Sequence, residues 1–375
     1  HGGNDAQKTM GIIAAAVVFA QIQYARTIDL GFGHNNILVV SQGRLNIEQR
    51  AAFDHALRNY PGIISVGQSD RIPFQTGQSL GVVRVPGNPQ DITMNSIGID
   101  PYYSKVYGIA LVAGRELSEN RASDQMHSNM PQPDPLNNGK NILVNVAGAH
   151  RLGFTPQQAV GQIVKLNGAD THIVGVLADA KVQGARAPVT PDYYFYVPSD
   201  SRTFSVLLRP DMIPQTLAFI DKTWKDFSPQ FAVQRNFLDD SYNQFYSADQ
   251  REGTMFAIFV GVAIFIACLG LFGLAAFTAG RRTKEIGIRK VFGARSRDVI
   301  FLLLWQFSIP VLIANASAWP LAWYYLHGWL QGFAYRISLS PLFFLGGGAV
   351  ALVIAWSTIY AHAYRVARAN PIHAL

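Results

Sequence analysis

The sequence predicts an α-helical membrane protein with four transmembrane helices and an inserted mixed α+β extracytoplasmic domain. Three observations predict it. Hydrophobic residues make up 49% of the 375 residues and charged residues only 15%, against about 25% charge in an ordinary soluble protein. The apolar residues gather into runs near the start and through the last third of the chain, with a long polar block between. A basic cluster is wedged between two of the late runs, as in a cytoplasmic loop.

Taken in order, Thr9–Ala25 is about 17 residues long, which is marginal for a crossing. We read it as the first span, clipped at its start (domain 1–25); a buried or interfacial helix is the alternative. The chain begins at His1 rather than Met and shows no secretory signal peptide, so a fragment or processed piece is expected.

From 26 to 252 the residues suit a folded α+β domain. Short β-prone runs recur at Ile37–Val40, Leu80–Val85, Asn141–Val146, Gln162–Leu166, His172–Leu177, Tyr193–Val197 and Phe204–Leu208, with turn residues such as Asn167-Gly168 between some of them. Helical spacing of apolar residues appears at Ile47–Asn59 and Pro214–Phe227. Asn120–Lys140, rich in Pro, Asn, Asp and Ser, predicts an irregular surface loop. Cys268 is the sole cysteine, so this domain is expected to be held by its core without an internal disulfide.

A membrane-embedded part is predicted over 253–375. Gly253–Gly280 carries no charge; as a helix its roughly 28 residues reach about 42 Å, more than a hydrocarbon core of about 30 Å, so it tilts or projects. The polar flank Tyr242–Glu252 can continue that helix above the membrane. Val299–Leu326 contains Pro310 and Pro320, each placed to kink it, and Pro341–Ala361 is the last run. In that run Gly347, Ala351 and Ala355 recur every four residues, either a close-packing stripe or lipid-facing alanines. Trp319, Trp323, Tyr324, Tyr325, Trp329 and Phe333 crowd the end of the preceding run. Interfacial anchoring is the first reading and a substrate-facing wall the second.

Charge sets the topology. The net charge is +7, and much of the excess lies in Arg281, Arg282, Lys284, Arg289, Lys290, Arg295 and Arg297, interrupted only by Glu285. Those residues belong in the cytoplasm under the positive-inside rule, as do Arg365 and Arg368, while His327–Ser340 with Arg336 alone suits the outer side. Both termini are thus expected in the cytoplasm. The distribution argues against nucleic acid as a partner.

Catalytic motifs are missing from the sequence: there is no phosphate-binding loop, no H-E-x-x-H pair and no G-x-S-x-G elbow. No enzymatic activity, metal or bound cofactor is predicted for this chain. The informative stretch is Arg281–Ala294, where Ile286, Ile288, Val291 and Phe292 are mixed among the charges. Such mixing suits a short amphipathic helix on the inner membrane surface, stopped at Gly293, which could contact headgroups or dock a cytoplasmic partner.

That stretch, RRTKEIGIRKVFGA, preceded by IACLGLFGLAAFTAG, followed by ANASAWPLAWYYLHGWLQGFAYRI and closed by ARANPIHAL, resembles the FtsX/MacB-like family of ABC-transporter permeases. AGRELS from Ala113, AVGQIVKLNG from Ala159 and IVGVLADAKVQGAR from Ile173 resemble the MacB-type periplasmic core domain. QYARTIDLGF from Gln23 is similar to the junction after a span in long members. The opening HGGNDAQK departs from the pattern, and the chain resembles the C-terminal half of a long member.

The resemblance implies a permease in the bacterial inner membrane, partnered by a separate cytoplasmic ATPase that holds ATP and Mg, and by a second permease half or a second copy. A periplasmic adaptor is a further candidate partner. It implies a coupling loop at 281–298 made by Arg282, Lys284, Glu285, Ile286, Gly287, Ile288, Arg289, Lys290, Phe292, Gly293 and Ala294. In that loop Glu285, Arg289 and Lys290 would make polar contacts, Ile286, Ile288 and Phe292 the apolar face, and Gly287 a close backbone approach. Export or extraction of a hydrophobic or amphipathic substrate follows from the larger outer domain. A non-transporting mechanotransmission protein that regulates a cell-envelope partner is the alternative, and a ligand sensor ranks last, the tail after Ala363 being short.

Overall fold

Two kinds of hydrophobic pattern build two separate units. Alternating residues in short strands build one from Ile28 to Tyr246, and long apolar helices build the other from the remainder. The computed structural model describes residues 2–368 apart from 44, 76, 78, 89, 128–134, 199–200 and 282–295.

In the α+β unit a four-stranded antiparallel sheet has the order β11-β1-β10-β2, from β1 (Ile37–Ser41), β2 (Ile63–Ser69), β10 (Thr203–Leu208) and β11 (Arg235–Phe237). Helices α2 (Ile47–Arg58) and α6 (Ile213–Phe227) belong to the same layer pair. A capping box starts α2: Asn46 Oδ1 accepts from the Gln49 N–H at 2.8 Å, and Gln49 Oε1 accepts from the Asn46 N–H at 3.0 Å. Buried residues four apart, Phe53 and Leu57 on α2 and Thr216, Ile220 and Trp224 on α6, turn one stripe of each helix inward. Phe53 meets Phe204 and Trp224 edge-on in that core.

A second sheet runs β5-β8-β6-β9-β4-β3-β7, from β3 (Leu80–Arg84), β4 (Ile92–Gly98), β5 (Leu111–Gly114), β6 (Lys140–Asn145), β7 (Ile163–Leu166), β8 (Ala169–Leu177) and β9 (Asp192–Phe195). Because β7 also pairs with β8, six of these strands close into a ring, with β5 added at its edge. Closure turns every second side chain inward, and Val83, Met94, Ile142, Val144, Val164, Ile173, Tyr193 and Phe195 fill the interior. The two-residue β7–β8 hairpin is made by Asn167 (φ 48°) and Gly168 (φ 92°), the positive-φ pair that a right-twisted hairpin requires. Short helices α3 (Tyr103–Tyr107), α4 (Val146–Arg151) and α5 (Pro156–Ala159) complete the unit.

The helical unit contains α1 (Gly2–Thr27), most of α7 (Leu238–Arg281), α8 (Ser296–Leu330) and α9 (Pro341–Arg368). Among the described residues three stretches are long and apolar enough to cross a membrane: Asp5–Thr27, Leu238–Gly270 and Pro341–Tyr360. The 35-residue α8 runs through Pro310 and Pro320. Ile13 and Val17 of α1 pack with Ala322, Leu326 and Leu330 of α8 and Phe344 of α9. Polar side chains pin the same contacts. Thr9 Oγ1 donates to Asn315 Oδ1 at 2.6 Å, Gln21 brackets the Tyr335 carbonyl and the Ile337 N–H, and Trp356 Nε1 donates to Ser308 Oγ at 2.9 Å.

The stripe on α9 is buried: Ala351 and Ala355 are 1% exposed, and a side chain at Gly347 would overlap Ile13. The aromatic crowd divides. Trp323, Tyr324 and Tyr325 are exposed, as interfacial anchors are, while Phe333 is buried and Trp319 and Trp329 pack on the cluster around Ile13. On α7, Met255, Phe256, Phe259, Val262, Phe265 and Leu269 all point outward, as suits a lipid-facing surface.

The strand runs expected from sequence all form, each within a few residues of the bounds read, and both expected helices form. The expected loop at Asn120–Lys140 holds short 3-10 turns at Ala122–Asp124 and Pro135–Asn137. Sequence reading missed β2, β4, β5 and β11. In β2 and β4 the alternation is masked by buried polar residues, Ser65 and Ser69 in one and Asn95 and Ser96 in the other; Asn95 donates to Asp192 and Ser96 to the Ser79 carbonyl, partners outside their own strand.

Candidate transmission site

The family-like stretches QYARTIDLGF and IVGVLADAKVQGAR are about 150 positions apart in the chain and meet at one corner of the α+β unit. After β8, residues 178–186 form a turn-rich connection. Its Lys181 N–H donates to the Leu30 carbonyl at 2.8 Å and its Nζ to the Asp29 carbonyl at 2.5 Å. The Asp179 carboxylate accepts from the Ala147 N–H at 2.9 Å, fixing the first turn of α4, and the Val182 carbonyl accepts from Phe74 N–H at 2.9 Å. Two glycines permit the approach. Gly31 (φ +76°) lies against the Asp179 carbonyl, and Gly184 (φ +65°) lies against the Tyr246 hydroxyl; in both places a Cβ would overlap its neighbour.

The first turns of α7 complete the corner. Leu238, Tyr242 and Tyr246 are buried, and the Tyr246 hydroxyl accepts from the Ala185 N–H at 3.2 Å. His34 Nδ1 lies 2.5 Å from Asp239 Oδ1, and the imidazole stacks on Tyr242 at 4.8 Å. Phe74 stands edge-on to Tyr242 and contacts Phe32 and Phe245. The incoming segment 28–34, the connection 178–186 and the outgoing helix are thus bound to one another by backbone hydrogen bonds and a ring cluster. Such an arrangement can hold its parts in register under load.

The remaining family-like stretches form a second corner. In AGRELS, Arg115 makes a two-pronged contact with Asp124 at 2.7 and 2.9 Å, to which Asn141 Nδ2 and the Ser118 N–H also donate. Burial would raise the Asp124 carboxyl, but Arg115 and these donors hold it below the usual range. Glu116 accepts from Ser104 Oγ at 2.7 Å, tying this strand end to α3. A shallow recess of about 380 Å³ beside it is lined in part by Arg115, Asn141 and His172. Among the described residues no group of His, Cys, Asp and Glu is placed to hold a metal. Arg282, Lys284, Glu285, Ile286, Gly287, Ile288, Arg289, Lys290, Phe292, Gly293 and Ala294 lie outside the described residues.

Residues 9–227 match the MacB-like periplasmic core domain, and residues 257–371 match the FtsX-like permease C-terminal domain. The chain belongs to the FtsX/MacB-like permease family. This permease is 24% identical to the macrolide export ATP-binding/permease protein MacB of Bdellovibrio bacteriovorus, over 70% of the chain and 37% of that protein. It is 23% identical to the MacB of Sodalis glossinidius, over 97% of the chain and 56% of that protein. The permease chain therefore spans about half the length of the curated relatives it matches. Among solved structures, the periplasmic region of MacB from Actinobacillus actinomycetemcomitans aligns at 17% identity with a TM-score of 0.38, covering 57% of this chain and 94% of that one.

At the first corner the sequence showed two family-like stretches but nothing to say that they meet. Gly31 and Gly184 stand in ordinary loops, and only their neighbours across the fold disclose why glycine is needed there.

Proposed function

We propose that this chain is the membrane component of an ABC exporter that converts ATP hydrolysis on a separate cytoplasmic ATPase into movement of the α+β unit. The observation that carries the reading is the succession of both family modules in one chain, 9–227 and 257–371. The relatives' names specify macrolide export, which favours export of a hydrophobic or amphipathic molecule over regulation of an envelope partner. The chain would cross the bacterial inner membrane four times, with α8 as the third crossing and both termini in the cytoplasm. The α+β unit then lies outside, a reading supported by the basic residues of 281–297 under the positive-inside rule.

In this mechanism ATP and Mg stay on the ATPase, and this chain contributes no catalytic group. Residues 281–298 dock on the ATPase through Glu285, Arg289 and Lys290 and the apolar Ile286, Ile288 and Phe292. A shift there passes into α7, which is one unbroken helix from Leu238 to Arg281. Its first turns end in the ring cluster of Tyr242, Phe245 and Tyr246, so a displacement of the helix is delivered to residues 28–34 and 178–186 together. A second permease half or a second copy completes the membrane pathway, and an adaptor outside the membrane is a further partner.

The test is co-purification of the complete protein with its genomically neighbouring ATPase, with hydrolysis measured in the presence and absence of the permease. A complex whose hydrolysis changes, and loses that change on substitution between Arg282 and Phe292, is expected. Absence of a complex across several mild detergents would count against the reading.

A further inference from the structure

The two chain connections between the units end on one pair of strands. Residues 28–36 carry the chain from α1 to β1, and β11 passes into α7 with no residue between, Phe237 closing the strand and Leu238 opening the helix. β11 is the outermost strand of its sheet and pairs with β1 alone. The pairing is antiparallel and short: Leu38 faces Phe237, Val39 faces Asn236 and Val40 faces Arg235. One further backbone bond extends it, from the Ser41 N–H to the Gln234 carbonyl at 3.0 Å. A three-residue edge ladder is a slender attachment for a 44-residue helix.

The side chains of the junction reinforce it. Asn236 Nδ2 donates to Ser241 Oγ at 2.9 Å, which fastens the strand to the first turn of the helix. Leu238 is fully buried, and Phe237 packs on the core beneath α2 and α6. Arg235, the one charged residue of β11, reaches across to α6. There its Nε donates to Asp221 Oδ1 at 2.7 Å and its Nη2 to Asp221 Oδ2 at 2.8 Å. Asp221 follows Ile220, whose side chain lies in the core, so the carboxylate is carried by a helix that is itself anchored. The Arg235 and Asp221 side chains are 26% and 44% exposed. A single-pronged pair at such a surface adds little, but a two-pronged fork fixes direction as well as charge.

We propose that Arg235 and Asp221 are positioning residues of the transmission step. The fork clamps β11 to α6, so that a displacement of α7 moves the four-stranded sheet and its two helices as one body. Without the fork, the load falls on the short ladder and β11 peels from β1. The proposal rests on the reading of α7 as the transmitting helix and specifies which part of the α+β unit receives its motion.

The experiment is hydrogen exchange read by mass spectrometry on the complete chain bound to its ATPase in lipid nanodiscs, without nucleotide and trapped with ATP, Mg and vanadate. In the unaltered complex residues 37–41 and 235–237 should be equally protected in both states. In Arg235→Ala they should match the unaltered complex without nucleotide and be about tenfold less protected when trapped, with the change in ATP hydrolysis retained. Asp221→Ala should do the same, and the double variant should be no worse than either alone. Arg235→Lys, which keeps the charge and loses the fork, should fall between. A purely structural role would lower protection in both states alike. Protection in Arg235→Ala that is the same in the two states, whether kept or lost, or single effects that add in the double variant, would overturn the clamp. Should Arg235→Ala fail to fold, Asp221→Ala decides. An unaltered chain that does not bind the ATPase would strike the permease reading itself, and the clamp with it.

Discussion

Asp192 lies in the ring wall with 1% of its surface exposed, and its carboxylate accepts from Thr190 Oγ1 at 2.6 Å and Asn95 Nδ2 at 3.1 Å. Burial pushes this carboxyl up to about 6 despite those donors. A carboxyl raised above its unfolded value of about 3.9 binds its proton more tightly when folded, so it adds stability below that value and loses it as pH rises through the folded one. Asp192→Asn is therefore expected to flatten the pH dependence of unfolding between about pH 4 and 6, an effect of at most about 3 kcal/mol. Denaturant titrations of the full chain across that window measure it, and an unchanged slope would contradict the assignment. Asp124 carries the opposite sign, because Arg115 and Asn141 favour its ionised form. Its contribution is present above the unfolded pKa and is lost as pH falls through the depressed folded value. Asp124→Asn should cost about 2 kcal/mol at pH 7, discounted for the partial exposure of Arg115, and should cost less in acid. Neither carboxylate is distinguishable in the sequence from a solvated aspartate, because the burial, and for Asp192 the Asn95 donor as well, comes from strands remote in the chain.

Between elements, single glycines set the separations. Gly347 of α9 faces Ile13 of α1 closely enough that a Cβ would overlap it, whereas Gly346 has open space. Gly347→Leu is expected to push the two helices apart and lower the thermal midpoint in detergent, with overpacking of this kind costing about 1–3 kcal/mol; Gly346→Leu is the control and should leave the midpoint unchanged. Equal effects of the two would mean that the stripe does not pack as described. At the corner built on Tyr246, Gly184→Val combines a positive φ with overlap of the Tyr246 hydroxyl. A loss of about 2 kcal/mol or more in the α+β unit is expected, read by proteolysis of residues 178–186. The four-residue spacing of Gly347, Ala351 and Ala355 was legible in the sequence. Its partner helix was not, since a small-residue stripe states how near another backbone can come without stating which one comes.

Across the whole molecule, the proposed mechanism joins two places that are remote in the chain, the basic loop and the corner built on Tyr246. Glu285→Lys combined with Arg289→Glu should abolish both ATPase binding and the change in hydrolysis, and retention of both would remove these residues from the docking surface. Tyr246→Ala should leave ATPase binding intact, since the residue belongs to the α+β unit, while removing the buried ring and hydroxyl that hold residues 178–186 to α7. The expected outcome is normal complex formation with export reduced about tenfold or more; full export would show that force does not pass through this ring cluster.

What the sequence determined by itself were the features written in local order. Apolar run length announced the long apolar helices, alternation announced most strands, and Asn167-Gly168 announced the turn that joins β7 to β8. The motif RRTKEIGIRKVFGA and its flanks carried the family. Tertiary structure alone decided that β7 returns to β8 and closes a ring, that DLGF and DAKVQGAR meet on Tyr246 and its neighbours, and that Arg58 is divided between Asp54 and Asp100. The physical reason is the range of the forces. Helix and strand periodicity act over a few residues, whereas burial, hydrogen-bond satisfaction and charge pairing act between neighbours in space that the linear order leaves far apart.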